Sequence, residues 1–278
     1  MKYYDLNDGN KIPAIGFGTY KITDEKDMDI GISSALDAGY TYFDTAKFYE
    51  NEELLGKYLK LYGKNRSDYK IATKVWPNSF GADKTKKSLD DSMKDLGVDY
   101  LDVALLHWYG KDYRETWEVF KDYKDQGIIK TIGVCNFSID QLTQLLSTGI
   151  KPAIDQLESH LHLHDKDTNE FLKENNILHQ AWSPLARANS DLLTEKVLQK
   201  IADKYGKSPA QVALKWNIER GVMVLVKSVH DDRIRENIDI FDFDLTAEDM
   251  NSLASLDKKT RYSSDPEDKE WLEKIRNM

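Results

Sequence analysis

The stretch KIATKVWPNSFGADKTKKSLDDSMKDLGVDYLDVALLH, residues 70–107, decides the architecture. It opens on a short apolar run, KIATKVW (70–76), and closes on another, LDVALLH (101–107). Between them SLDDSMKDLG (88–97) is amphipathic and stops on Gly97, a residue that ends helices cheaply. Apolar runs with so little alternation are strands buried on both faces, as in parallel sheets. Working outward, the same alternation recurs. IGFG (15–18) and YTYFD (40–44) precede this unit. IIKTIGV (128–134), AIDQLE (153–158), LHQAWS (178–183) and VMVLVKS (222–228) follow it, making eight runs in all. Residues 24–39 place Met28, Ile30, Ile32, Ala35 and Leu36 along one stripe and end on Gly39. Eight strand-then-helix units predict an α/β fold closed into a single (β/α)8 TIM barrel.

The first residues, KYYDLNDGNKIPAIGFG (2–18), read as two short strands about Asn7-Asp8-Gly9-Asn10. A Gly in that position suits a tight turn, so an N-terminal β-hairpin is expected at the bottom of the barrel. Two extra helices are expected between the seventh and eighth strands, over 191–205 and 208–221. The second starts on Ser208-Pro209, a capping residue followed by proline in the first turn. With no linker-like composition, residues 1–278 are expected to form one domain.

Composition excludes several functions. Thirty-nine Lys and Arg against 48 Asp and Glu leave a formal charge of −9. That balance argues against a nucleic-acid binder, which needs a basic face. The N-terminus lacks the apolar core of a signal peptide, and GVMVLV (221–226) is far short of a membrane span. One cysteine, Cys135, rules out an intrachain disulfide and fits a reducing cytoplasm. The expectation is therefore a cytoplasmic monomer with no nucleic-acid or membrane partner.

In such a barrel the chemistry lies at the C-terminal ends of the strands. Asp44 ends the second run, with Tyr49 five residues on. Lys74 lies near the end of the third and His107 ends the fourth. Lys74 stands in an apolar run, where an unpaired ammonium is costly, so it needs Asp44 as partner. An ammonium beside a phenol favours the phenolate and is expected to lower its pKa from about 10. Asp, Lys, Tyr and His together can protonate a carbonyl oxygen, and a cofactor must then supply hydride. Tyr20, Trp76, His107 and Trp108 are the expected substrate contacts, in a fairly open, aromatic pocket. Only residues 108–111 separate His107 from the next helical segment, too few to close over the site.

Nearly the whole chain resembles the aldo-keto reductase family, in particular its bacterial diketogluconate-reductase-like members. The resemblance rests on GFGTY (16–20), FDTAKFYENE (43–52), ATKVW (72–76), LLHW (105–108), GVCNFS (133–138), DQLESH (155–160), WSPL (182–185) and KSVHDDRIREN (227–237). It implies NADPH-dependent reduction of aldehydes and ketones: small carbonyls, α-dicarbonyls or keto-sugars. Asp44, Tyr49, Lys74 and His107 then form the catalytic tetrad, with Tyr49 the general acid. Gly18, Thr19 and Asp44 fall at the cofactor site. Cys135, Asn136 and Gln156 fall where the nicotinamide carboxamide is held, and Trp182 where an aromatic stacks on the ring. Ser183 and Leu185 match the pyrophosphate site. Lys227, Ser228, His230 and Arg233 match the 2′-phosphate site, with Glu236 and Asn237 at the adenine. Four positions depart from the commonest pattern: Cys135 for Ser, Glu50 for Gly after the catalytic Tyr, Val226 and Tyr109 for Pro.

Two other readings compete with this one. A metal-dependent hydrolase needs several clustered His and Asp ligands at strand ends. Asp44 and His107 alone qualify, and Lys74 between them repels a cation. HLHLH (160–164) would place three histidines on one face if extended, yet His160 belongs to the family pattern and the rest reads as a polar loop. No metal is expected. A non-enzymatic relative that merely binds the nucleotide is disfavoured by the intact tetrad.

Overall fold

In the computed structural model, residues 1–62, 65–188 and 190–278 are described. Eight parallel strands close a barrel: β3 (Ile15–Gly18), β4 (Tyr42–Asp44), β5 (Lys70–Val75), β6 (Leu101–Leu106), β7 (Ile129–Cys135), β8 (Ile154–Glu158), β9 (Leu178–Trp182) and β10 (Met223–Val226). Each pairs with the next, and β10 returns to β3 through Val226 opposite Phe17. Every apolar run read from the sequence is a barrel strand.

Two antiparallel strands, β1 (Tyr3–Asp5) and β2 (Lys11–Pro13), form the N-terminal hairpin. Gly9 takes φ +85° in its turn, a left-handed conformation that costs glycine little. Asn7 donates to the carbonyls of Pro152 and Asn176, and Asn10 to that of Lys130. Those carbonyls stand at or just before the starts of β8, β9 and β7, so the hairpin closes the bottom. Leu6 and Ile12 fill the barrel from below, against Tyr42, Val103, Ile154 and Met223.

Side-chain direction alternates along each strand and so divides the core. Tyr42, Ala72, Leu105 and Cys135 point into the barrel, whereas Phe43, Ile71, Leu106 and Val134 pack outward under the helices. The same parity turns Asp44, Lys74 and His107 inward at the upper rim.

The helix over Glu25–Ala38 is capped by Asp24 and stopped by Gly39 at φ +95°. Ile30, expected on its buried stripe, is only partly buried, and Ser34 is buried instead. The helix expected to begin near 88 starts earlier, spanning Ala82–Leu96. Residue 82 directly follows Gly81, and its first turn is too polar to betray a buried face. Of the extra helical segments, the first is broken into Ser190–Leu193 and Lys196–Tyr205, while Pro209–Glu219 is continuous and capped by Ser208. Lys196–Tyr205, Pro209–Glu219 and a later helix, Ala247–Ala254, share a second apolar core centred on Leu198, Trp216 and Leu253. No helix among the described residues is long and apolar enough to cross a membrane.

Candidate active site

Four inward-facing groups meet at the rim. Lys74, 1 % exposed, donates from Nζ to Asp44 Oδ1 at 2.6 Å and to the Thr45 carbonyl at 2.8 Å. Its third contact is the Tyr49 hydroxyl at 3.2 Å. Tyr49 reaches there because Lys47–Tyr49 forms one turn of 3₁₀ helix after β4. That turn ends on Glu50 at φ +55°, a left-handed conformation natural to the glycine usual at this position.

Asp44 is held from below as well. Gln156 Nε2 donates to Asp44 Oδ2 at 2.9 Å and to Gln180 Oε1 at 2.6 Å. Gln180 in turn donates to the Tyr42 hydroxyl at 3.2 Å. A continuous polar chain therefore runs up the barrel axis from Tyr42 to Tyr49. A network satisfied in this way orients its terminal members and leaves them few alternatives.

The electrostatics follow from burial and from Lys74. Burial on its own would favour the neutral amine of Lys74, but Asp44 and then the Tyr49 oxygen outweigh it, holding the ammonium above its usual range. Burial pushes the Tyr49 phenol up, and Lys74 only partly opposes this. The expected net lowering of the phenol pKa is thus corrected: withdrawal from water exceeds the attraction of the ammonium. Tyr49 keeps its proton across the neutral range, which a proton donor needs. Burial, then Lys74, hold His107 well below its usual pKa, so its imidazole is neutral. Its ring lies 5.7 Å from that of Tyr49, edge to face, and among the described residues its Nδ1 has no hydrogen-bond partner.

The remaining candidates continue around the rim. Gly18 pairs with Asp44 across β3 and β4, and Thr19 bonds the Asp44 carbonyl through its amide and hydroxyl. At the end of β7, Cys135 is buried and Asn136 takes φ +58°. Asn136 donates to the His107 carbonyl and to Cys135 Sγ, and accepts from Trp182 Nε1 at 3.0 Å. Trp182 ends β9 half-buried, and Ser183 follows at φ +51°, its carbonyl accepting from the amide of Ala186. Leu185 is partly buried in the same loop. After β10, Lys227, His230 and Arg233 are exposed, whereas Ser228 and Asn237 are buried and Glu236 is partly so. Because β10 adjoins β3, with Val226 opposite Phe17, Lys227 follows beside the end of β3 at Gly18.

These residues fit a dinucleotide phosphate. Among the described residues, Lys227 and Arg233 have no carboxylate within 4 Å, so both charges are available for a ligand. Arg235, two residues on, is engaged instead: its Nε binds Asp231 at 2.9 Å and Asp37 lies 3.9 Å from its Nη2. The glutamine expected at the carboxamide has both donors engaged by Asp44 and Gln180. Its Oε1, 3.6 Å from Cys135 Sγ, is the atom with capacity left.

The expected substrate contacts need revision. Tyr20 is 45 % exposed and lies 4.9 Å from the Tyr49 ring, as an open wall should. Trp76 and Trp108 are each 5 % exposed, because the C-terminal helix (Lys269–Lys274) and the turn after it cover them. Trp76 Nε1 donates to the Ile275 carbonyl at 2.9 Å, and Trp271 packs on Trp108 at 5.6 Å. The loop after β6 is short, as expected, but a segment far along the chain does the covering. Phe48, 37 % exposed, was missed. It stacks on Trp76 at 3.9 Å and is the aromatic face left at the mouth. Its place beside Tyr49 was the available signal.

The HLHLH segment is no polar loop. His160 and Leu163 exchange backbone hydrogen bonds across a tight turn, and His160 and His162 are buried. The three rings then diverge: His160 meets Glu158, His162 meets Glu195 and Tyr262, and His164 meets the Ala254 carbonyl.

The family model described as "Aldo/keto reductase family" matches residues 14–258. The methylglyoxal reductase DkgA of Escherichia coli K12 is 38 % identical over 266 residues, covering 94 % of this chain and 96 % of that protein. The glyoxal reductase of Bacillus subtilis is 38 % identical over 265 residues, covering 95 % of each. Among solved structures, an aldo-keto reductase from a deep-sea metagenome library superposes with TM-score 0.93 at 34 % identity, covering 96 % of this chain and 99 % of that one. A Bombyx mori aldo-keto reductase in complex with NADP gives TM-score 0.88 at 32 % identity, covering 95 % of each chain.

Proposed function

The chain belongs to the aldo/keto reductase family, and from that premise we propose that it reduces small aldehydes and ketones, α-dicarbonyls foremost, at the expense of NADPH. The observation that carries the reading is the Asp44–Lys74–Tyr49 chain, with contacts of 2.6 and 3.2 Å ending beneath Tyr20 and Phe48. The relatives named for methylglyoxal and glyoxal support the substrate class, and the neighbour holding NADP supports the cofactor.

Bound NADPH supplies the hydride. The chain's own residues do the rest. Tyr49, protonated at neutral pH, donates its phenolic proton to the substrate oxygen as charge develops there. Lys74 stabilises the phenolate left behind, and Asp44 keeps Lys74 charged and aimed. Neutral His107 orients the carbonyl without competing for the proton. Lys227 and Arg233 would hold the ribose phosphate, and Trp182, fixed through Asn136, would present a flat face to the nicotinamide. The walls offered by Tyr20 and Phe48 are aromatic, which suits broad acceptance of small carbonyls with modest affinity. We read the enzyme as a single-domain monomer of a reducing cytoplasm, in keeping with Cys135 as a buried free thiol.

The test is loss of NADPH absorbance with methylglyoxal, for the wild type and Tyr49→Phe. The variant is expected to bind cofactor normally and to lose turnover by about 10²–10⁴-fold or more. A Tyr49→Phe enzyme keeping a tenth of the wild-type rate refutes the assignment of the acid.

A further inference from the structure

At the opposite end of the barrel the hairpin leaves a hollow of about 720 Å³ beside the starts of the strands. Its wall includes Asn7, Asp8, Lys124, Lys151, Lys173 and His179. The acidic side chains there are already matched. Asp8 binds Lys124 at 3.2 Å, and Asp5 binds Lys11 at 3.1 Å. Among the described residues, Lys151 donates only to the Asn175 carbonyl, at 2.8 Å. Among the described residues, neither Lys151 nor Lys173 has a carboxylate within 4 Å. Two ammonium groups without a carboxylate partner therefore border one cavity in a chain of formal charge −9.

His179 adds a second, independent observation. It is buried on β9 with Nδ1 3.2 Å from Asn169 Oδ1, and its Nε2 has no hydrogen-bond partner among the described residues. Burial first, then Arg220 and Lys173, push its pKa down to about 3, with Asp165 opposing. The imidazole is therefore neutral, in positive surroundings, with one nitrogen left to bond. Ammonium groups select an anion, whereas a neutral imidazole nitrogen suits a hydroxyl.

We propose that this cavity binds a small hydroxylated anion, its carboxylate or phosphate facing Lys151 and Lys173 and a hydroxyl serving His179. The site lies at the opposite end of the barrel from Tyr49 and is separate from the reduction chemistry. Calorimetric titration of the full chain, saturated with NADP⁺ so that the cofactor's phosphate contacts are filled, tests it. The probes share one skeleton: glycerate, glycerol 3-phosphate and uncharged glycerol, with inorganic phosphate alone as the fourth, all at constant ionic strength. Saturable binding of glycerate or glycerol 3-phosphate near roughly 1 mM is expected, without binding of glycerol. The stronger of the two shows whether carboxylate or phosphate is the preferred anion. Lys151→Ala/Lys173→Ala should weaken it by about tenfold or more while leaving carbonyl reduction unchanged. No saturable binding of either anion, or affinity unaltered in the double variant, overturns the site. Inorganic phosphate binding as tightly as glycerol 3-phosphate overturns the hydroxyl contact.

Discussion

Replacing Lys74 by Met removes a buried charge whose partners stay behind, so stability and catalysis should fall together. Asp44 would retain only the Gln156 amide on Oδ2, while its Oδ1 loses the 2.6 Å bond to Nζ. The Thr45 carbonyl and the Tyr49 hydroxyl also lose their contacts with Nζ. Removing one partner of a buried ion pair costs about 3–5 kcal/mol, because the other charge remains out of water. At roughly 2 °C per kcal/mol for a chain of this size, the melting temperature should drop by about 6–10 °C. Asp44 can relieve part of this by taking up a proton, so the deficit should shrink as pH falls. Asp44→Asn/Lys74→Met removes both charges and should recover a large share of the loss, while activity stays abolished. Urea unfolding of the wild type, both single variants and the double variant measures the coupling, and NADPH oxidation reports catalysis. A Lys74→Met protein as stable as wild type, or a double variant no better than Lys74→Met, refutes the pairing argument.

Other outcomes follow from particular contacts. Arg233→Ala should reduce the preference for NADPH over NADH by about tenfold or more, as a lost charge-assisted contact implies; an unchanged ratio of kcat/KM values would show that the phosphate is read elsewhere. Glu50→Gly should leave stability unchanged or raise it by up to about 1 kcal/mol, since a left-handed conformation strains other residues, whereas Glu50→Val should cost more than 1 kcal/mol. Equal losses in the two variants count against strain at φ +55°. His179 has a folded pKa depressed to about 3, so its contribution is complete above its unfolded value of about 6.5 and is lost as pH falls from there toward 3. Between about pH 6.5 and 5 this amounts to roughly 2 kcal/mol, with His107 acting in the same direction. Chemical denaturation at about pH 7.5 and 5 checks it, and His179→Leu should flatten the dependence; a wild-type midpoint that rises toward pH 5 contradicts the assignment.

The barrel was legible because its strands are buried on both faces and so appear as unbroken apolar runs, whatever their neighbours. Gly39, Ser208 and the turn about Gly9 act within a few residues, and they too could be read locally. So could Asp44, Tyr49, Lys74 and His107, because a charge or phenol at the end of an apolar strand is conspicuous. What could not be read depends on contacts between distant residues. Apolar side chains on both faces conceal which are inward, so the Tyr42–Gln180–Gln156–Asp44 chain was invisible. Arg233 and Arg235 look alike until helical geometry brings Asp231 onto Arg235 and leaves Arg233 free. Trp76 and Trp108 look like open walls until the C-terminal segment, more than 160 positions away, lays Ile275 and Trp271 over them. The sign of the Tyr49 shift depends on how much water the closed barrel removes from around the hydroxyl, a quantity set by packing. Local chemistry, strand burial and capping belong to the linear sequence; charge availability, pocket walls and protonation require the folded chain, since each is a balance between groups that folding brings together.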